Sequence, residues 1–274
     1  MLGLGSSLPL GGAIGVTGNL TDTGLYLLDS YSGAAAAYSL RLLDSTYSGS
    51  AIRVRKPSDN SEQDVGFTSG DLDTTSMLTF LGGEDGFVTV WYDQSGSANN
   101  AVQAFTANQP QIVSSGVVIL DNGKPAMTLA GDSFSVTLLS LTQVGYFGVN
   151  NFTYASSTGY FGNVSTNKFT AYTGTAYRLR PLVSDMAGTV TANAQNLTSM
   201  LATTSNATEV YDSGALVASG ANASGTTALA SLYQIGGNQW LAQGKTQEFI
   251  LYDSDETANR TGIETNINDF YTIY

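Results

Sequence analysis

Short runs of apolar residues, separated by clusters of Gly, Asn, Ser and Thr, dominate the chain and predict β-strands. The stretch 51–56, Ala-Ile-Arg-Val-Arg-Lys, alternates apolar and polar residues as a half-buried strand does. From about residue 101 to 252 the apolar runs recur at short spacing, for example at Val117–Leu120, Phe134–Leu139 and Val144–Val149. Regular short strands with turn residues between them are typical of a β-sandwich.

One pair of these strands predicts a hairpin directly. Glu209–Tyr211 and Ala215–Val217 are both rich in strand-forming residues, and only Asp212, Ser213 and Gly214 separate them. The Ser-Gly step supplies a residue that adopts positive φ without strain, which a tight hairpin turn requires.

Three stretches predict helices. Ala34–Asp44 places Ala36, Leu40 and Leu43 on one face of a short helix. Asp73 is suited to cap a second helix that runs through Leu81 and ends at a Gly-Gly pair. Near the C-terminus Ser254 is suited to cap an amphipathic helix. Its apolar face consists of Ile263, Ile267, Phe270, Tyr271 and Tyr274.

The first 24 residues differ from the rest, because they are rich in Gly, Ser and Leu without a clear period. We predict an N-terminal docking arm over residues 1–24 and one sandwich domain over residues 25–274. A glycine-rich terminus becomes ordered when something packs on it, so the arm either crosses its own domain or docks into a neighbouring subunit. We favour docking. The apolar anchors for either arrangement are Leu2, Leu4, Leu8, Leu10 and Ile14.

Composition and charge restrict the kinds of partner that the protein is expected to bind. Ten Lys and Arg against 22 Asp and Glu give a net charge of −12, a balance that disfavours nucleic acid and anionic membranes. The N-terminal sequence lacks the charged and apolar regions of a secretory signal, and no apolar stretch is long enough to span a membrane. The chain has no Cys and no His, which excludes disulfides, thiolate metal sites and Ser-His-Asp catalysis.

The sequence has a local acidic cluster between residues 59 and 73. It comprises Asp59, Glu62, Asp64, Asp71 and Asp73. Carboxylates suit calcium, but Asp also accepts backbone N–H groups in turns and at helix starts. Without calcium-loop spacing, we favour turns and caps. We therefore predict no metal site and no cofactor, with calcium as the alternative.

Several segments resemble the catalytic domain of fungal arabinofuranosidase B. They are AYSLRLLDSTYSGSAIRVRKPSDNSEQDVGF (37–67), VTVWYDQSG (88–96), NGKPA (122–126), YQIGGNQW (233–240) and TQEFILYDS (246–254). The resemblance implies an all-β, concanavalin A-like (jelly-roll) sandwich. Together with the patterns above, it predicts such a sandwich with a few short helices and a C-terminal amphipathic helix.

The resemblance also implies two catalytic carboxylates, and this chain departs from both. The family's nucleophile is a Glu of the central strands, but no Glu occurs between Glu84 and Glu209. Its acid/base is an Asp directly after an Ile-Gly-Gly turn, where this chain has Asn238. An amide cannot donate a proton as a carboxylic acid does. On these grounds we expect a relative that is not an enzyme and has no catalytic residues.

In a protein without catalytic residues, aromatic side chains are the candidates for contact with a ligand. Trp91 lies within a strand-like run and is expected in the core, whereas Trp240 follows the Gly-Gly turn and is a candidate to contact a glycan. Asn238, Gln239 and Asp93 complete this predicted site. The alternative role for Asp93 is structural, in the turn that follows a buried strand.

The same Ala-Ile-Arg-Val-Arg-Lys and Trp-Tyr-Asp-Gln-Ser-Gly segments also resemble structural and tail proteins of phages. We therefore expect a viral, non-catalytic, homo-oligomeric virion protein, as a capsid decoration or a tail-fibre (tail fiber) adhesin. Its predicted partners are other virion proteins, copies of itself and host surface glycans, and its predicted location is the phage surface after synthesis in the host cytoplasm. The alternatives are a stand-alone carbohydrate-binding module and an arabinofuranosidase-like glycoside hydrolase with relocated carboxylates.

Overall fold

A computed structural model describes residues 26–153, 158–163, 168–173, 176–179, 186–187, 193–202, 207–221, 230–236 and 243–274 of the chain. The predicted docking arm, with its anchors Leu2, Leu4, Leu8, Leu10 and Ile14, lies outside these residues. The boundary between that arm and the sandwich stays a prediction.

The described elements are mostly strands. They are β1 (Ala34–Ser39), β2 (Ile52–Arg55), β3 (Glu62–Val65), β4 (Phe67–Thr68), β5 (Asp71–Leu72), β6 (Gly86–Trp91), β7 (Ala101–Val102), β8 (Gln111–Ser114), β9 (Val117–Val118), β10 (Leu120–Asp121), β11 (Lys124–Pro125), β12 (Met127–Ala130), β13 (Ser133–Leu141), β14 (Val144–Phe152), β15 (Thr158–Asn163), β16 (Lys168–Thr173), β17 (Ala176–Leu179), β18 (Met186–Ala187), β19 (Asn196–Ala202), β20 (Ala207–Asp212), β21 (Ala215–Ala221), β22 (Ala230–Gly236) and β23 (Gln243–Tyr252). The helices are α1 (Leu27–Ser30), α2 (Thr74–Leu81) and α3 (Arg260–Tyr271), with a 3-10 turn at Thr106–Asn108.

Antiparallel pairing arranges most strands in two layers. The first layer runs β21–β20–β19–β14–β23, and β23 then pairs with β12 along one part and β1 along the other. The second runs β3–β2–β6–β7–β13–β22–β15–β16–β17–β18. Strand β8 joins the layers by pairing with both β6 and β12.

Aromatic side chains from both layers meet in the main core. Trp91 and Phe134 of the second layer are fully buried, with ring centroids 5.9 Å apart. Trp91 also lies 5.6 Å from the ring of Tyr38, and Phe249 lies 5.1 Å from Tyr146, both in the first layer. The sandwich predicted from the strand pattern is confirmed, as is the core position of Trp91.

A helix covers the outer face of the first layer. Tyr146 of β14 lies in the main core. Its neighbour Phe147 packs on the opposite face of the layer, with Ile263 and Ile267 of α3. The predicted C-terminal amphipathic helix is thus confirmed, but its start is wrong. It begins at Arg260, and Ser254 instead donates to Glu256 Oε1 at 2.6 Å.

The other two helix predictions had opposite outcomes. Helix α2 is confirmed, since Asp73 Oδ1 accepts the N–H of Ser76 at 3.0 Å and Gly82 ends the helix with φ of 61°. The helix predicted over Ala34–Asp44 is wrong, because Ala34–Ser39 forms a strand paired with β23. Most of this strand is buried, so its apolar run does not alternate and resembles a buried helix in sequence.

Candidate functional site

The ends of β13 and β22 form a tight corner in the second layer. Ser133, the first residue of β13, pairs with Gly236, the last residue of β22. Gly236 has φ of 77°, and a Cβ there would overlap the carbonyl oxygen of Asp132 and lie 3.0 Å from Ser133 Cα. The corner therefore needs glycine at this position, both for its backbone angle and for its close approach to Asp132.

Asp132 places a half-buried carboxyl at this corner. Its Oδ2 accepts the N–H of Ala130 at 2.9 Å. Burial raises the pKa of Asp132, and the hydrogen bond from Ala130 opposes that rise only in part. A carboxyl with a raised pKa keeps its proton to higher pH, which is what a general acid needs.

The predicted glycan-binding residues follow this corner in sequence. Asn238, Gln239 and Trp240 come directly after the Gly236-Gly237 pair, but they lie outside the described residues. Their role stays a prediction. Sequence analysis missed Asp132, because its nearness to Gly236 depends on a strand pairing between distant segments.

Asp93 holds the turn that follows β6. Its Oδ1 accepts the N–H groups of Ala37 and Ser95 at 2.8 and 2.9 Å, and its Oδ2 accepts the Ser95 hydroxyl and the N–H of Asn99, each at 2.9 Å. These four bonds match the acceptor capacity of one carboxylate. With 4% of its surface exposed, Asp93 has the structural role given above as the alternative, and its contact with a glycan stays a prediction.

Glu248 is a second carboxylate that is fully buried. It has no exposed surface and forms a two-pronged ion pair with Arg41, from Nε to Oε2 at 2.8 Å and from Nη2 to Oε1 at 3.0 Å. Ser39 Oγ donates to the same carboxylate at 2.7 Å. A substrate cannot reach this group without unfolding the strands around it.

Four of the five residues of the acidic cluster are engaged in a turn, a helix cap or an ion pair. Asp59 accepts from Ser61, Asp64 pairs with Arg53 at 2.7 Å, and Asp71 lies 3.6 Å from Lys124 Nζ. Within the described ranges, no three or more Asp and Glu side chains are grouped so as to hold a metal ion. Among the helices that the structure describes, none is long and apolar enough to cross a membrane.

Comparison with known proteins finds one family model and several solved structures that this chain resembles. The model of the catalytic domain of α-L-arabinofuranosidase B matches residues 25–160. An arabinofuranosidase complexed with arabinofuranosyl-α-1,2-xylobiose is 19% identical, with a TM-score of 0.62 over 85% of this chain and 62% of that one. A glutamate-to-glutamine variant of a GH54 α-L-arabinofuranosidase, soaked with 4-nitrophenyl α-L-arabinofuranoside, is 20% identical with the same TM-score and coverage. No curated protein matches the chain.

These matches correct the functional expectation. The resemblance to arabinofuranosidase B is supported by the family match and by the shared fold. The prediction of a non-catalytic virion protein, as capsid decoration or tail fibre, is wrong, because the family match and the shared fold both point to an arabinofuranosidase-like glycoside hydrolase fold. The chain spans about 62% of the length of the arabinofuranosidases that it matches. The predicted partners and location stay predictions.

Proposed function

We propose that this chain is a glycoside hydrolase domain of the arabinofuranosidase type, which removes α-L-arabinofuranosyl groups from a larger carbohydrate. The observation that carries the proposal is the match of residues 25–160 to the arabinofuranosidase B catalytic domain. The shared sandwich, which extends over 85% of the chain, supports it. The substrate class comes from the ligands of the matching structures, an arabinofuranosyl-xylobiose and a nitrophenyl arabinofuranoside.

Asp132 is the described carboxyl that fits the acid of this reaction. Its proton would pass to the glycosidic oxygen as the bond to the arabinofuranosyl carbon breaks, so that the leaving sugar departs as a neutral alcohol. The raised pKa of Asp132 favours the protonated form that this step uses. A second carboxylate acts across the sugar in such enzymes. Asp93 and Glu248 are buried and occupied by hydrogen bonds within the protein, so neither fits that second role.

The experiment compares two substrates with different leaving groups in wild type and in Asp132→Asn. Nitrophenolate leaves readily without a proton, whereas a xylobiose hydroxyl needs one. We expect kcat on arabinofuranosyl-xylobiose to fall about 10²- to 10⁴-fold in the variant, and kcat on the nitrophenyl substrate to fall much less. In wild type, the rate on the natural linkage should decline as pH rises through the raised pKa of Asp132.

A matched control is Asp59→Asn, which makes the same chemical change at an exposed aspartate that also accepts a bond in a local turn. It should keep wild-type kinetics on both substrates. No hydrolysis of either substrate by the wild-type chain would refute the proposed function. Hydrolysis that Asp132→Asn leaves unchanged would refute the role of Asp132 and leave the function standing.

A further inference from the structure

The segment after β7 runs toward the Asp132 corner. Val102 pairs antiparallel with Ser135 of β13, so the chain that leaves Val102 travels toward the start of β13. The side chain of Gln103 confirms this direction, since its Nε2 donates to the carbonyl oxygen of Ser133. Phe105 follows two residues later and therefore lies toward the corner where Asp132 precedes Ser133.

Hydrogen bonds fix the backbone of this segment. Gln103 is 6% exposed, and its Oε1 accepts the N–H of Phe105 at 3.0 Å. Gln109 Nε2 donates to the carbonyl oxygen of Gln103 at 3.0 Å, and Arg55 Nε donates to Gln109 Oε1 at 2.7 Å. The buried Gln103 amide thus connects the backbone N–H of Phe105 to the carbonyl oxygen of Ser133, the first residue of β13, and so fixes the backbone from which the ring projects.

The ring itself is exposed. Phe105 is 74% exposed and Val102 44% exposed, although both residues are apolar. Single exposed apolar residues are common in proteins. What distinguishes Phe105 is that a buried hydrogen-bond network fixes its backbone near Ser133, the residue that follows Asp132. An aromatic face of this kind suits the apolar C–H face of a sugar ring.

We propose that Phe105, with Val102, forms a subsite for an uncharged sugar ring of the carbohydrate that bears the arabinofuranosyl group. This inference rests on the proposed function and deepens it. Because the hydrogen bonds connect Phe105 to Ser133 and not to the Asp132 carboxyl, the sugar that it binds is the backbone sugar next to the scissile linkage. Phe105 is thus a specificity residue and not a catalytic one.

The test uses the full chain with Phe105→Ala, Phe105→Trp and the control Leu216→Ala. Leu216 is an apolar residue of β21 in the other layer and is 54% exposed. We expect Phe105→Ala to raise KM for arabinofuranosyl-xylobiose about 5- to 10-fold at unchanged kcat, on the scale of one aromatic contact. Inhibition by unbranched xylotriose should weaken by a similar factor, and inhibition by free arabinose should stay the same. Phe105→Trp should restore the wild-type values.

Direct calorimetric binding of xylotriose separates this inference from the proposed function. If the chain hydrolyses arabinofuranosides but Phe105→Ala leaves KM and xylotriose binding unchanged, the subsite is refuted alone. If the chain binds xylotriose through Phe105 and hydrolyses nothing, the subsite stands and the proposed function falls. Failure of wild type to bind xylotriose refutes the subsite, whatever the outcome of the activity assay.

Discussion

The buried ion pair between Arg41 and Glu248 allows a quantitative test of how the sandwich is held together. The exposed fractions of the two side chains are 3% and 0%. Burial disfavours the charged guanidinium, yet Glu248 holds the pKa of Arg41 above its ordinary value. Replacing Arg41 with Met keeps most of the side-chain volume and removes the charge. It leaves the Glu248 carboxylate with the Ser39 hydroxyl at 2.7 Å and the Tyr271 hydroxyl at 3.3 Å.

The expected loss follows from the uncompensated charge. Removing one partner of a buried pair costs about 3–5 kcal/mol of unfolding free energy. The exposed pair Arg53–Asp64 has the same two-pronged geometry, at 2.7 and 2.9 Å, but its side chains are 39% and 43% exposed. Arg53→Met should therefore cost no more than about 1 kcal/mol. Both variants delete a two-pronged ion pair, and the two sites differ chiefly in burial, although Arg41→Met also removes the bond from Nη1 to Asn266 Oδ1 at 2.9 Å.

The assay is urea unfolding, followed by circular dichroism and by the fluorescence of buried Trp91. The double variant Arg41→Met, Glu248→Met should recover most of the loss. Equal costs for Arg41→Met and Arg53→Met would refute the reasoning.

Two further predictions concern the corner of β13 and β22. Gly236→Ala should destabilise more than Gly123→Ala in the same unfolding assay. Both residues have φ near 76°, which costs a non-glycine residue about 1–2 kcal/mol, but only at Gly236 would the added Cβ also meet backbone atoms. Asp132→Asn should be at least as stable as wild type at pH 7, because burial opposes ionisation of Asp132. That advantage should disappear at acid pH, where wild type is protonated; an advantage that grows on acidification would contradict this assignment.

Local signals predicted several elements because the deciding interactions lie close in sequence. Asp73 caps α2 within one turn, and Ser213 and Gly214 adopt φ of 50° and 80° in the predicted hairpin. The strand Ala34–Ser39 could not be predicted in this way. Its partner β23 is distant in sequence, and pairing with it overrides the helix propensity of four consecutive alanines.

The start of α3 likewise cannot be predicted from the local sequence alone. Ser254 precedes an acidic run that resembles a capping sequence, but Glu256 is held by both Ser254 and Asn259, at 2.6 and 2.8 Å. These bonds form a turn over 254–259, and the helix starts only after it. Choosing between a cap and such a turn depends on where the apolar face of α3 meets β14 and β19, which the local sequence does not specify.

The functional error arose from treating catalytic groups as properties of sequence positions. Asn238 stands where an acid would follow the Ile-Gly-Gly turn, and the chain was therefore expected to lack one. A general acid is defined by where its carboxyl lies and by its pKa, not by its neighbours in sequence. Strand pairing brings the backbone carbonyl of Asp132 against Gly236 of that same turn, and burial raises the pKa of the Asp132 carboxyl. Under the proposed function, Asp132, the residue before β13, supplies the acid that the position after Gly237 lacks, and its place beside this turn is visible only once the two strands are paired.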